Sequence, residues 1–477
     1  SQNIPQTGGA GPFSYSVVGG SLPTGPSVHA STGEINGSPT AASPFTFTIR
    51  VTDSQSTPDT DDKQYSVTIG STAPSGNLYY VSTTGSNSDP GTWQQPWATL
   101  QYAVDTIAAG DTIIVEPGSY VGCRIENSGT SGQPKTLMSE TPWAAVVNAK
   151  ETVRAKHNSY LEVESFTSTV RYWVVDGMAV YGNSGSRYDI DVRQCEYITV
   201  RNCNTTKAQY TGIFSAVTNY PLIENNTTYA NGEHGIYTSD SSDYGTLRHN
   251  TMYSNVGIGH HMNGGYGSGD GIMSYWTVEK NRTYSNVNGF DADGVEYSIW
   301  RNNLAYNNAS KGLHFTGGSG TSDGAVNSRY ARVLNNTLIC PQTGWYPLSC
   351  IVQTPSIPHP LGYRIFNNVL YNYQNSYMRG AMCMSSYCFP DFQSDYNVVG
   401  NWFGIDDNAI VEQLAQWQAR GYDLHSVQVD NTQTTRDALW VDSDNADVAL
   451  RDFHLKAGAV AINAGTCNSP DVNDDMD

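Results

Sequence analysis

Between residues 45 and 51 the chain alternates. Phe45, Phe47, Ile49 and Val51 share one parity while Thr46, Thr48 and Arg50 share the other, which is the period-two pattern of a half-buried strand. Tyr65, Val67 and Ile69 repeat it. Turn-forming stretches at Leu22-Pro-Thr-Gly25, Ser31-Thr-Gly33 and Asn36-Gly-Ser-Pro39 separate the apolar runs. Residues 1–70 therefore predict a small β-sandwich, and residues 71–77 a short polar linker containing Pro and Gly. From Leu78 the pattern changes. Leu100, Ala103, Val104, Ile107 and Ala108 recur at i, i+3, i+4, i+7 and i+8, one face of an amphipathic helix, and a strand follows over 112–115. Such a helix would cover the first open coil of a solenoid. Ile410, Leu414 and Trp417, behind an Asn408 cap and ahead of Gly421, predict a second helix, and 452–465 reads as strand and turn.

A repeat dominates the region between the two helices. Aligned on an Asn that follows a short strand, the chain gives Asn204-Thr-Thr, Asn226-Thr-Thr-Tyr, Asn250-Thr-Met-Tyr, Asn281-Arg-Thr-Tyr, Asn303-Leu-Ala-Tyr, Asn336-Thr-Leu-Ile and Asn368-Val-Leu-Tyr. The steps between them, 22, 24, 31, 22, 33 and 32 residues, suit three short strands and their turns per coil. Each coil then climbs one strand spacing of ~4.8 Å. The fold class is therefore all-β: a right-handed parallel β-helix over 78–477 with short capping helices, preceded by the sandwich. Stacked Asn side chains would pair amide to amide, and Tyr229, Tyr253, Tyr284, Tyr306 and Tyr371 would form a second ladder.

Composition narrows the function classes. Only 14% of the 477 residues are charged, and the formal net charge is −19, a surface that repels phosphate backbones and anionic lipid. Neither a nucleic-acid partner nor membrane insertion is expected, since no apolar run approaches the ~18 residues of a span. The chain opens at Ser1 without a leader, which reads as a processed or trimmed chain whose targeting signal is not visible. Eight Cys show no paired CxxC pattern, and Cys340/Cys350 and Cys383/Cys388 lie close enough in sequence to staple loops in a secreted or cell-surface protein. No nucleotide loop, nucleophile elbow or His-Glu-x-x-His motif is present, and no organic cofactor is expected.

The passage Gly20-Ser-Leu-Pro-Thr-Gly25, Ala30-Ser-Thr-Gly-Glu-Ile-Asn-Gly-Ser-Pro-Thr40 and Phe45-Thr-Phe-Thr-Ile-Arg-Val-Thr-Asp53 resembles the Ig-like repeats of bacterial surface proteins and exported carbohydrate enzymes. In those repeats a further strand precedes the point where this chain starts. The resemblance thus implies an open sheet edge that could accept a strand from another chain, the alternative being a chain boundary without function. Pro96-Trp-Ala-Thr-Leu-Gln-Tyr-Ala-Val104, Gly110-Asp-Thr-Ile-Ile-Val115 and the coils, roughly residues 78–466, resemble the pectate-lyase-like superfamily. That superfamily contains lyases, glycoside hydrolases, epimerases, tailspikes and adhesins, so the resemblance speaks for fold more than for activity.

Candidate chemistry comes from strands that begin Gly-apolar: Gly212-Ile-Phe-Ser-Ala, Gly235-Ile-Tyr-Thr-Ser, Gly257-Ile-Gly-His-His, Gly289-Phe-Asp-Ala-Asp and Gly312-Leu-His-Phe-Thr. Alternation turns the second and fourth positions inward, among them His260 as a core histidine, and the third and fifth outward. His261, Asp291, Asp293 and His314 then face solvent within about two coil heights of one another. Calcium-dependent lyases of the superfamily hold their ion with Asp clusters on this strand and use a Lys or Arg as base. By that resemblance Asp291 and Asp293 are candidate Ca2+ ligands, with Asp240 and Asp270 as extras, and Lys311 or a His is the base. The cluster is thinner than in such lyases, and His neighbours match hard calcium poorly. His261 and His314 beside a carboxylate suit general acid–base work near neutral pH. Alternatively Asp291 and Asp293, about 6–7 Å apart as i and i+2 on a strand, form the carboxylate pair of an inverting glycosidase. The structural alternatives are that Asp-Ala-Asp-Gly294 is a turn entry and that Lys311 is merely solvated.

A Gly-rich loop, Asn263-Gly-Gly-Tyr-Gly-Ser-Gly-Asp270, would leave next to His261 as a flap, and Tyr237, Tyr266, Tyr275 and Trp276 could stack on sugar rings. Two function classes follow. The first is an exported carbohydrate-active enzyme whose partner is a polysaccharide, foremost a polysaccharide lyase and otherwise a hydrolase. The second is a structural or adhesive surface protein that self-assembles into filaments through strand addition to the sandwich.

Overall fold

The structure, a computed structural model, describes residues 2–3, 11–22, 27–36, 43–55, 58–69, 76–154, 156–183, 185–265, 270–317, 326–351, 361–462 and 465. It divides into two compact units, Ser1–Ser75 and Gly76–Asp477. In the first, Ser14–Gly20, Ser43–Thr52 and Thr60–Ile69 form an antiparallel sheet of three strands, and Gln2–Asn3, Glu34–Asn36 and Ser27–Val28 form another. Where side chains are described, the alternation expected from the sequence is realised: Phe47 and Ile49 are buried with Tyr15, and Val51 and Tyr65 pack against them, while the side chains of Phe45, Val67 and Ile69 lie outside the described residues. The linker residues 71–75 lie outside the described residues.

The second unit is a right-handed parallel β-helix of three sheets with twelve strands each. The sheet that carries the candidate chemistry, here the cleft sheet, climbs through Cys123–Ile125, Leu161–Val163, Tyr188–Arg193, Thr211–Ala216, Ile236–Ser239, Ile258–Asn263, Asn288–Asp293, Lys311–Thr316, Leu348–Ile351, Met382–Met384 and Trp402–Ile405. Gly starts its central strands because the next coil leaves no room for a side chain. A Cβ on Gly235, Gly259, Gly289 or Gly312 would come within 2.7, 2.6, 2.6 or 2.5 Å of the carbonyl oxygen one coil above. Inward positions fill the bore with aliphatic and aromatic side chains, among them Trp173, Trp276 and Trp300, all fully buried.

Both ends are sealed. The helix Leu100–Thr106 is capped by the Thr99 hydroxyl, which accepts from the Tyr102 N–H, and it buries Leu100, Ala103 and Val104. Its Gln101 side chain donates to Arg124 O and accepts from Arg124 N, occupying the edge of the first cleft-sheet strand. At the other end the expected helix begins later than the sequence suggests. Ile410–Gln413 is a strand that runs antiparallel to Trp402–Ile405, and the helix is Leu414–Ala419, capped by Gln413 rather than Asn408. The β-branched pair Ile410–Val411 pairs with the last edge instead of opening the helix.

Between the caps runs a column of buried amides. Asn226, Asn250, Asn281, Asn303, Asn336, Asn368 and Asn397 each donate from Nδ2 upward, six times to the next Asn Oδ1 at 2.9–3.0 Å and finally to Asp423. Asn204 is not part of it. It lies level with Thr227, and Cys203 fills the lowest place, donating its N–H to Asn226 Oδ1. A second, shorter column joins Asn231, Asn255, Asn286 and Asn308. Tyr229, Tyr253, Tyr284 and Tyr306 stack at 5.0–5.1 Å as expected, but Ile339 interrupts the row and Tyr371 packs on Trp440 instead. A further row that the repeat did not signal comprises Tyr172, Tyr197, Tyr220, Tyr244, Tyr275, Tyr297 and Tyr330.

The expected loop staples are not the pairs that meet. Cys350 Sγ lies 3.0 Å from Cys388 Sγ, because coil stacking rather than nearness in sequence brings side chains together. The seven described cysteines are buried free thiols, and Cys467 lies outside the described residues.

The amide column predicts a graded response. Asn281 donates to Leu247 O and Asn303 Oδ1 and accepts from Asn250 N–H and Nδ2. Asn281→Ala strands several of these buried groups and should cost about 2–4 kcal/mol. Asn148→Ala removes only an exposed bond to Ser119 and should cost under about 1 kcal/mol. Guanidinium midpoints of the two variants measure the difference.

Candidate functional site

The cleft sheet presents two outward columns. One runs Tyr237, His261, Asp291, His314, Ser349; the other Ser239, Asn263, Asp293, Thr316, Ile351. The sequence alignment on Gly257 is corrected here. Gly259 takes the place of Gly235, since Ile236 pairs with His260 and Tyr237 with His261. A two-residue shift preserves the face, so His261 still points outward, but its direct neighbour is Asp291 and Asn263 stands beside Asp293. His260 is inward and fully buried, with Nε2 3.1 Å from Thr238 Oγ1.

Hydrogen bonds tie the columns into one constellation. His261 Nε2 reaches diagonally to Asp293 Oδ2 at 3.3 Å. Asn288 Nδ2 donates to Asp291 Oδ2 at 3.0 Å. Lys311 Nζ donates to His314 Nε2 at 2.9 Å, and His314 Nδ1 lies 2.7 Å from Ser349 Oγ. Tyr237 stacks on His261 with ring centres 4.6 Å apart, and the His234 ring stands 4.8 Å from His261. His261, Asp291, Asp293, Lys311 and His314 are thus gathered on one face by three consecutive coils.

Desolvation sets the electrostatics. Burial raises the Asp291 carboxyl to about 6; His261 opposes the rise and Asp293 reinforces it. Burial also lowers the Lys311 ammonium, against the pull of Asp291. His314 falls to about 3 through burial and the adjacent Lys311, and His234 falls to about 3 through burial and His261. The site therefore holds neutral imidazoles, an amine that gives up its proton more readily than usual, and a carboxyl biased toward its acid form. Asp291 Oδ1 and His261 Nδ1 are buried without a hydrogen-bond partner.

Other candidates are dispersed. Trp276 is not a sugar platform: it is fully buried and donates from Nε1 to Ser242 O at 2.7 Å, while its neighbour Tyr275 takes the exposed position on a different face. Tyr266 and the centre of the Gly-rich loop, 266–269, lie outside the described residues. Asp270 Oδ1 accepts from Ile272 N–H, and Asp240 Oδ1 lies against Gly265. Among the described residues no three His, Cys, Asp or Glu side chains converge as a metal site. Among the described residues Asp291 and Asp293 fall well short of the six to eight oxygens calcium takes, so the described donors do not fit the ion.

Asn263, Asn288, Ser349 and His234 belong to the constellation but were not found from sequence. The Gly257 misalignment hid Asn263, and Ser349 sits in a strand where Pro347 replaces the leading Gly. His234 precedes its strand and accepts from Ile258 N–H.

A family model described as the Pel9A-like, right handed beta helix region matches residues 79–338, more than half of the chain and all of the constellation except Ser349. The chain belongs to the Pel9A-like β-helix family. An Ig domain model matches residues 1–84. Among solved structures the chain is similar to pectate lyase Pel9A, at 16% identity and TM-score 0.43, over 62% of this chain and 76% of that one. It is similar to an alginate lyase from Paenibacillus sp. str. FPU-7 at 15% identity and TM-score 0.44, over 64% and 99%. XylC in complex with xylose aligns at 11% identity and TM-score 0.48, over 78% and 88%. The uncharacterized protein YwoF of Bacillus subtilis (strain 168) is 31% identical over 98 residues, and the match spans about a fifth of each protein, 20% of this chain and 21% of YwoF.

Within this Pel9A-like cleft Asp291 carries a testable cost. It binds its proton more tightly folded than unfolded, so its contribution favours folding below the ordinary value of 3.8 and is lost as pH rises through about 6. Asp291→Asn should therefore be more stable than the parent by about 2–3 kcal/mol at pH 8, with the difference vanishing near pH 4. Thermal or guanidinium unfolding of both proteins at the two pH values measures it.

Proposed function

We propose that the protein is a secreted polysaccharide lyase that cleaves a uronate-containing glycan by β-elimination over the His261–Asp291–His314 column. The observation that carries this reading is the Lys311–His314–Ser349 chain, with its donor–acceptor distances of 2.9 and 2.7 Å, beside Asp291. Elimination needs a base for the proton on C5 of the uronide, and an amine whose proton is loosened by burial serves at a pH where an ordinary lysine does not. Neutral His314 fixes the position of Nζ by accepting from it, and Ser349 holds the ring.

The bond changes balance within the sugar and one side chain. The Lys311 amine takes the C5 proton, the C5–H pair becomes the C4–C5 double bond, and the C4–O bond breaks. The ammonium so formed can return its proton to the departing oxygen. His261 and Asn263, on the coil below, stand where a bound chain extends along the cleft. Among the described residues the donors beside Asp291 are too few to hold a cation.

A second reading, hydrolysis, is favoured by one observation: Asp291 is biased toward its acid form while Asp293 accepts from His261, the asymmetry that an acid and a base require. The products separate the two. Wild-type protein incubated with a panel of polyuronides and neutral glycans should release fragments carrying a new double bond, read by ultraviolet absorbance. Lys311→Ala should lower that rate by about 100-fold to 10,000-fold, and activity should rise with pH as Lys311 loses its proton. Reducing ends without unsaturation, abolished in Asp291→Asn, would establish the hydrolase, and an inactive wild type on the whole panel would sink both readings.

A further inference from the structure

The row from Tyr172 to Tyr330 carries a backbone cost that the stacking of its rings offsets only in part. One tyrosine per coil stacks on the next for seven coils, with ring centres 4.6–5.3 Å apart and planes within 12° of parallel. Every one sits in the left-handed backbone region, at φ between 49° and 62°. A bulky side chain there costs roughly 1–2 kcal/mol relative to the ordinary conformation, whereas Asn is well tolerated. The same solenoid uses Asn at other left-handed positions, including Asn202, Asn225, Asn302 and Asn335.

Nor is the row part of the core. Tyr197, Tyr220, Tyr244, Tyr275 and Tyr297 are 40–51% exposed. Stacking uses up the ring faces, so what solvent meets is a file of ring edges and phenol hydroxyls about 29 Å long at ~4.8 Å per coil. Its flanks are electrically quiet, with Arg171 paired to Glu196 and Arg329 to Glu296 at 2.7 Å. Tyr197, Tyr220, Tyr244 and Tyr297 follow the end of a cleft-sheet strand by four or five residues, and Tyr172, Tyr275 and Tyr330 come after longer loops to the same corner, so the file runs parallel to the cleft one corner away.

We propose that this file is a second glycan-binding site, separate from the cleft, that takes an extended β-1,4-linked polysaccharide in its ordered, insoluble form. A phenol hydroxyl both donates and accepts, the proper partner for a sugar hydroxyl. The coil height is within roughly a tenth of the advance of one β-1,4-linked pyranose along an extended chain, so over a few rungs a sugar stands near each tyrosine, alternate sugars presenting opposite edges because the chain turns over at each linkage. Single contacts are weak, but seven in fixed register act together. A short soluble glycan, which engages few rungs and must lose its flexibility, binds far less. The site is independent of what the cleft does.

The test uses the whole chain and microcrystalline cellulose as the probe, with retention measured by depletion from solution. Two triple variants at Tyr220, Tyr244 and Tyr275 separate binding from stacking. Substitution to Phe keeps the stack and removes the hydroxyls; substitution to Asn removes the rings at positions whose backbone suits Asn. Wild type should be retained, and both variants should partition to cellulose at least about 10-fold less, with folded circular-dichroism spectra and unchanged turnover of any soluble cleft substrate. Wild type that fails to bind above an albumin control, or a Phe variant retained as strongly as wild type, overturns the proposal. Concentration-dependent dimerisation that disappears in the Asn variant would instead make the row a contact between copies of this chain and equally overturn it.

Discussion

Parallel strands in a solenoid have no hairpin to set their register. Each meets its neighbour only after the chain has travelled around the coil, so alignment must come from something that acts vertically. Here it is the buried carboxamide. Asn281 is satisfied only when Leu247 O lies behind it, Asn250 below and Asn303 above. A slip of one residue in any coil would strand a buried donor and acceptor, at about 1–3 kcal/mol for each group. Seven such amides in line make the native register the single arrangement without orphans, a gain in specificity more than in net stability. The outward columns of the cleft and both tyrosine rows inherit their spacing from it.

Features imposed vertically were legible in the sequence, and features decided by a side chain's immediate surroundings were not. The Gly-apolar strand starts could be read because the carbonyl of the next coil excludes a Cβ at the same place each time. In Gly257-Ile-Gly259 two glycines compete for that place, and only the contact with Gly289 O separates them. A shift of two residues keeps the face and changes the neighbour, so the pattern places His261 on the cleft but not Asn263 beside Asp293. Tyr275 and Trp276 are consecutive, so one had to face outward and one inward; the indole went in because Gly245 leaves room for it and Ser242 O accepts its N–H. The exposed tyrosine row escaped notice because tyrosine is not a residue that turn rules assign to left-handed positions. The cysteine staples were misjudged for the reason that makes the fold work: contact follows height along the axis, not distance along the chain.

The cleft reverses the character of the whole molecule. A chain of net charge −19 gathers on this face three imidazoles and a lysine, with one carboxyl biased toward its acid form and the other bonded to His261. Desolvation does most of this, since it lowers Lys311 and His314 and raises Asp291 together. Each shift costs folding free energy at pH values where the group would otherwise be charged, and their concentration within three coils supports the reaction proposed for this face. On the reading proposed above, an anionic glycan would meet less repulsion over these coils than the chain's net charge of −19 would otherwise impose.

The two surfaces differ in symmetry, and that difference bears on how they would work together. The tyrosine file repeats at every coil, so a polymer shifted along it by one sugar meets the same surface again. The cleft does not repeat: His261, Asp291, His314 and Ser349 are four different side chains at four successive heights. Binding to the file is therefore free of register and compatible with movement along the axis, whereas binding in the cleft has one productive register. A glycan held by the first would lie parallel to the second without being committed to a position, so the file would bring bonds near Lys311 only where the cleft's substrate is embedded with the polymer the file holds.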